Sequence, residues 1–81
     1  MNLNTLIAIR ECLIDNAFRK RQAYCEAKRA HDEARDAWER DEGSLGEVKD
    51  LRAIKDNAYE DFCKADSILH EFENVDWGMM R

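Results

Sequence analysis

The stretch Asp41-Glu42-Gly43-Ser44-Leu45-Gly46-Glu47 decides the fold, because it is the clear break in a proline-free chain and falls near its middle. Gly43 suits a left-handed residue just past a helix end, since it lacks the Cβ that makes that conformation costly. Ser44 and Glu47 have the Ser-x-x-Glu spacing of a capping box, which satisfies free amides where the next helix begins. A connection this short sends the second helix back along the first. The expectation is an all-α, antiparallel helical hairpin of long, coiled-coil-like helices in a single domain, 1–81. Helix 1 is expected over about 4–42, the turn over 43–46, helix 2 over about 45–73, and an irregular tail over 74–81.

Outward from the turn, both arms carry apolar residues at the three-four spacing of helices packed at shallow angles. Helix 1, capped by Asn4 or Thr5, offers Leu6, Leu13, Ala17, Tyr24, Ala27, His31, Ala34 and Trp38. Arg10 and Lys20 interrupt that series, but a neighbouring stripe of Ala23, Ala27, Ala30, Ala34 and Ala37 does not break. Helix 2 offers Val48, Leu51, Lys55, Ala58, Phe62, Ala65, Leu69 and Phe72. Folded about the turn, Trp38 meets Val48, Ala34 meets Leu51, His31 meets Lys55, and Ala27 meets Ala58. Further out, Tyr24 meets Phe62, Ala17 meets Leu69, and Leu13 meets Phe72. Large side chains mostly face small ones, the alternation that a tight seam needs. An alternative breaks helix 1 at Asp15-Asn16, residues that cap helices better than they continue them, giving three helices.

One seam does not absorb all the apolar residues. Leu3, Leu6, Ile7 and Ile14 overhang the shorter second arm, and Ile54 and Ile68 lie beside its seam. Apolar width beyond one stripe predicts a second contact surface, most simply a homodimer that forms a four-helix bundle. Trp77, in the tail, joins these residues as a dimer or partner contact. A chain of 81 residues buries only about 60% of its unfolded surface, so association also answers a shortage of core.

The net charge of −5 is unevenly spread. Residues 1–30 hold six basic and three acidic side chains, residues 31–50 three and eight, and residues 51–81 four and seven. The turn end therefore reads as acidic, with Asp32, Asp36, Glu39, Glu42, Glu47 and Asp50 as a candidate partner-binding face. The basic band of Arg19, Lys20, Arg21 and Lys28 is the one candidate for nucleic acid. It is disfavoured because consecutive cations fan around a helix, whereas counterion release needs several facing one backbone.

Candidate chemistry is sparse. His31 and His70 belong to opposite ends of the hairpin, and His70 follows Asp66 by one turn. Cys25 and Cys63 are expected close together, either as small buried hydrophobes or as a redox pair, while Cys12 has no partner. The Glu-x-x-His pairs of di-iron bundles and glycine-rich phosphate loops are missing from the sequence. These readings predict no enzyme, no cofactor, no metal and no small-molecule substrate. The apolar run from Leu3 to Ile14 carries Arg10 and Glu11, too short and too charged to span a bilayer. It lacks the basic start and cleavage site of a signal peptide, and with an odd number of cysteines this predicts a cytoplasmic protein without membrane contact.

The expected function is thus a small non-enzymatic interaction module: a regulator, adaptor or inhibitor that binds a protein partner. One alternative is an acidic inhibitor from a phage or mobile element, mimicking DNA and blocking a CRISPR or restriction complex. A further alternative is an RNA-binding helical hairpin dimer.

Overall fold

The computed structural model describes residues 2–75, and Trp77 and the tail expectation for 76–81 lie outside them. The chain forms α1 (Leu3–Glu39) and α2 (Leu45–Asn74), packed antiparallel as a hairpin. No strand occurs among the described residues. Among them, too, no helix is long and apolar enough to cross a membrane.

Helix α1 is capped two residues before the first expected cap, Asn4, by Asn2. Its carboxamide oxygen accepts from the Thr5 amide at 2.8 Å and from the Thr5 hydroxyl at 2.9 Å. The helix runs unbroken through Asp15-Asn16, which removes the three-helix alternative. Asp15 pairs with Arg19 one turn on at 3.0 Å, and Asn16 is half-buried. Packing of the long arm outweighs the weak helix preference of two residues.

The turn differs from expectation in its mechanism. Asp41, not Gly43, takes the left-handed conformation, with φ of 61°, and no glycine among the described residues has positive φ. The Glu42 amide donates to the Ala37 carbonyl at 2.8 Å, and the Asp41 amide to the Trp38 carbonyl at 3.0 Å. This is the pair of bonds of a Schellman motif, and it ends α1 at Glu39, three residues before the expected position. Asp tolerates that backbone better than most side chains. Gly43 is needed for space instead: a Cβ there would lie 3.3 Å from the Trp38 nitrogen and 3.4 Å from the Ala37 Cβ. Ser44 then caps α2, its hydroxyl accepting from the Glu47 amide at 3.1 Å.

The register is fixed by three contacts. Tyr24 stacks on Phe62 with centroids 6.5 Å apart and planes 6° from parallel, as the paired seams predict. Tyr24 also meets Tyr59 at 5.2 Å. Near the open end Arg10 reaches Glu73 at 3.4 Å. With 37 residues against 30, α1 extends about two turns beyond α2, which confirms the overhang.

The seam is thin. Among the described residues Ala17, His31 and Ala65 are the buried ones, and no large side chain is fully enclosed. The axis of contact lies closer to the alanine stripe than expected: Ala30, Ala34 and Ala37 are half-buried, while Trp38 is 43% exposed. Small residues let the helices approach, while Trp38, one residue from the end of α1, lies beside Val48 and is left partly uncovered. The rod measures 63 × 15 × 13 Å, and its radius of gyration of 18.3 Å far exceeds the roughly 12 Å of a compact chain this long. It exposes 6358 Å², against about 5,000 Å² for a compact monomer of this mass.

Candidate interaction surface

A two-helix rod has two broad sides, one on each flank of its seam, and the register assigns exposed side chains to them. One side carries the row Ile7, Ile14, Arg21, Lys28 and Arg35 on α1, seven residues apart, opposite Leu45, Arg52, Tyr59, Asp66 and Glu73 on α2. Three shallow grooves open on it. At the open end Leu3, Leu6, Ile7, Arg10 and Phe72 surround about 170 Å³ of almost wholly apolar space. In the middle Ala17, Phe18, Arg21, Phe62 and Asp66 line a second groove. At the turn end His31, Arg35, Trp38, Leu45, Val48, Lys49, Arg52 and Lys55 line a third, of about 450 Å³. The long stems of Arg35, Lys49, Arg52 and Lys55 wall the third groove beside Trp38.

Of the residues expected to bind a partner through apolar contact, Leu3, Leu6 and Ile7 are brought together around the first groove. Ile14 continues their row, two turns further along α1. Ile54 and Ile68 fall elsewhere, on the opposite side of α2, where Val75 shares their heptad position. Single-sequence periodicity could not separate these sets, because both lie next to the seam.

The expected acidic face is also divided. Asp36, Glu39, Glu42, Glu47 and Asp50 are exposed. Asp32 is half-buried, 3.7 Å from His31 Nδ1 and 3.9 Å from Arg35, and Glu42 pairs with Arg40 at 3.4 Å. Asp32, Asp36 and Glu39 share a stretch of α1, while Glu47 and Asp50 belong to α2. All of them share the turn end with Arg35, Lys49, Arg52 and Lys55, so no surface of one sign spans it.

That basic cluster is the feature the sequence reading missed. Three of its cations stand on α2 at three-residue spacing, and the hairpin register brings them to Arg35 of α1. Among the described residues none of Lys49, Arg52 and Lys55 has a carboxylate partner, although Lys55 is half-buried at a seam position. His31 lies beside them with a buried Nδ1 that lacks a hydrogen bond, since the 3.7 Å to Asp32 is too long for one. The band of Arg19, Lys20, Arg21 and Lys28 does not converge: Arg19 is held by Asp15, Lys20 is half-buried, and Arg21 faces the groove that contains Asp66.

Cys12, Cys25 and Cys63 are free thiols. Cys25 lines a groove made by α1 alone, with Phe18, Arg21, Gln22, Glu26 and Arg29. Cys63 sits on α2 one turn from Tyr59. The Tyr59 hydroxyl is pushed above its ordinary pKa, first by its hydrogen bond with the Cys63 thiol and then by the charge that thiol can carry. His70 stays exposed, 3.6 Å from Asp66. Among the described residues no three His, Cys, Asp or Glu side chains converge as a metal centre would need.

No protein-family model matches the chain, and no curated protein or solved structure matches it significantly.

Proposed function

We propose that this chain is a non-enzymatic helical interaction module, a regulator, adaptor or inhibitor, that works as a homodimer and binds a protein partner. One observation carries the reading. Leu3, Ile7, Ile14 and Phe18 lie exposed along the open end of a rod whose own seam buries little beyond two alanines and a histidine. A contiguous apolar row of this kind is costly in water and marks a contact surface. The occupant that fits it first is a second copy. Phe72, near the end of α2, is the one residue of that helix lining the groove at the overhang of α1, and the matching overhang of another chain supplies apolar surface of the same kind and length. The opposite side, with Ile54, Ile68 and Val75, is left for the partner protein. The grooves are shallow and open on a rod only 15 × 13 Å across, which supports binding over enclosed chemistry. The odd number of cysteines supports a reducing, cytoplasmic setting.

Sedimentation equilibrium over a dilution series tests the dimer. A mass of twice 9.5 kDa that falls to the monomer on dilution is the expected result. A single monomeric species at every concentration would overturn the reading.

A further inference from the structure

We infer that the groove at the turn end binds a nucleoside polyphosphate, with Arg35, Lys49, Arg52 and Lys55 on the phosphates and the ring of Trp38 against the base. This goes beyond the interaction reading and does not depend on it. Four cations face one groove of about 450 Å³, within the range of small-ligand sites. Like charges gathered on one side repel, and three of these have no carboxylate partner among the described residues. Lys55 makes the point most sharply. It occupies a seam position, half-buried along its stem, and has no carboxylate partner among the described residues. A phosphate chain supplies the missing negative charge, and guanidinium forks at Arg35 and Arg52 match its oxygens.

Two further observations narrow the ligand. Trp38 is 43% exposed beside the cations, so an aromatic face is open for stacking, and indole is the best platform for a flat ring. The patch is also short. Lys49, Arg52 and Lys55 span about 9 Å of helix. The cations thin out beyond it: on α1 Lys28 and Arg21 follow singly, seven residues apart, Asp66 stands opposite Arg21, and Glu39 and Glu42 lie at the turn. A long nucleic-acid strand would run onto those acids, whereas two or three linked phosphates would not. At the edge of the groove His31 offers an imidazole whose Nδ1 has no partner, a buried polar group of the kind that a bound ligand or water relieves.

The test uses the full chain with Trp77→Phe, so that Trp38 is the remaining tryptophan. ADP is titrated at low salt without divalent cations, and fluorescence and calorimetry are followed together. The expected result is saturable quenching of Trp38, with affinity falling about tenfold in Arg35→Gln/Arg52→Gln and on raising salt. Both arginines are exposed, and helicity by circular dichroism confirms that the variant folds. Lys49→Gln, on the outer edge of the groove, is the second variant and is expected to weaken binding several-fold. Inorganic pyrophosphate is the companion probe, and weaker binding without quenching supports the role of the ring. Pyrophosphate binding as tightly as ADP would overturn that role. A short oligothymidylate that binds more tightly than ADP would overturn the compact-ligand assignment in favour of a nucleic-acid surface. No saturable binding of any probe would overturn the site.

Discussion

Ile7→Glu combined with Ile14→Glu should dissociate the proposed dimer while leaving the hairpin folded. The two residues share a heptad position on the open end of α1 and keep 46% and 39% of their surface exposed. Full burial of an isoleucine is worth about 1.5–3 kcal/mol, so the exposed part of each holds about 0.6–1.4 kcal/mol for an interface that covers it. A twofold dimer contains four such side chains, hence about 2.5–5 kcal/mol before the cost of burying carboxylates is added. That corresponds to about two to three and a half orders of magnitude in the dissociation constant, at about 1.4 kcal/mol per tenfold. The hairpin itself loses less, because the buried part of each side chain is contacted only along one edge. Sedimentation equilibrium reads the association, and far-ultraviolet circular dichroism reads helix content in the same samples. A dimer that survives both substitutions unchanged would refute the assignment of this face. Loss of helicity at every concentration would show instead that the two isoleucines belong to the seam.

Four further outcomes are expected. Asp41→Gly should raise stability by about 0.5–1 kcal/mol, because glycine adopts the left-handed backbone without steric cost; urea unfolding measures it. Gly43→Ala should lower stability by about 1 kcal/mol in the same assay, since its methyl group would sit 3.3 Å from the Trp38 nitrogen. His31→Leu should gain about 1 kcal/mol by removing a buried nitrogen without a partner, and an unfolding midpoint below that of the parent would contradict this. In a Tyr24→Phe background, Cys63→Ala should move the ultraviolet phenolate titration of Tyr59 to lower pH, because the thiol is the largest cause of its elevation. The sign follows from linkage: a raised phenol favours the folded state below the ordinary tyrosine value, and that contribution is lost as pH climbs through the raised one.

The hairpin was legible because glycines and a capping serine interrupt an otherwise continuous helical pattern, and the Tyr24–Phe62 stack lies where the paired heptads place it. The turn lies at 40–44 where 43–46 was expected, and it forms for a partly different reason. Sequence rules award the left-handed site to Gly43, but the Schellman bonds from Asp41 and Glu42 close α1 earlier and leave Gly43 to avoid a clash. Trp38 lines the turn-end groove together with Val48, its expected seam partner, and keeps 43% of its surface exposed because α1 ends one residue later. The basic groove was hidden by counting charge along the chain. Residues 31–50 balance to −5 and residues 51–81 to −3, yet Arg35 from one segment meets Arg52 and Lys55 from the other. Laying cations onto the paired seams, as was done for apolar residues, would have found it: Lys49, Arg52 and Lys55 recur every three residues opposite Arg35.

The apolar open end and the basic turn end lie on the same side of the rod but far apart along it. From Ile14 to Arg35 is 21 residues of unbroken helix, about 32 Å at 1.5 Å per residue. Screening at physiological salt acts over about 8 Å, so charge brought to one end is barely felt at the other. A second copy that overlaps the rod only at Leu3, Ile7 and Ile14 leaves Trp38 clear. Binding at the two ends would therefore be close to additive. Coupling between them would need an element with two arrangements, and a continuous α1 offers none at Asp15-Asn16, where a hinge was once the alternative. What the two ends share is the alanine seam. It holds the helices close but buries little, and that thinness leaves the isoleucines of the overhang in need of cover.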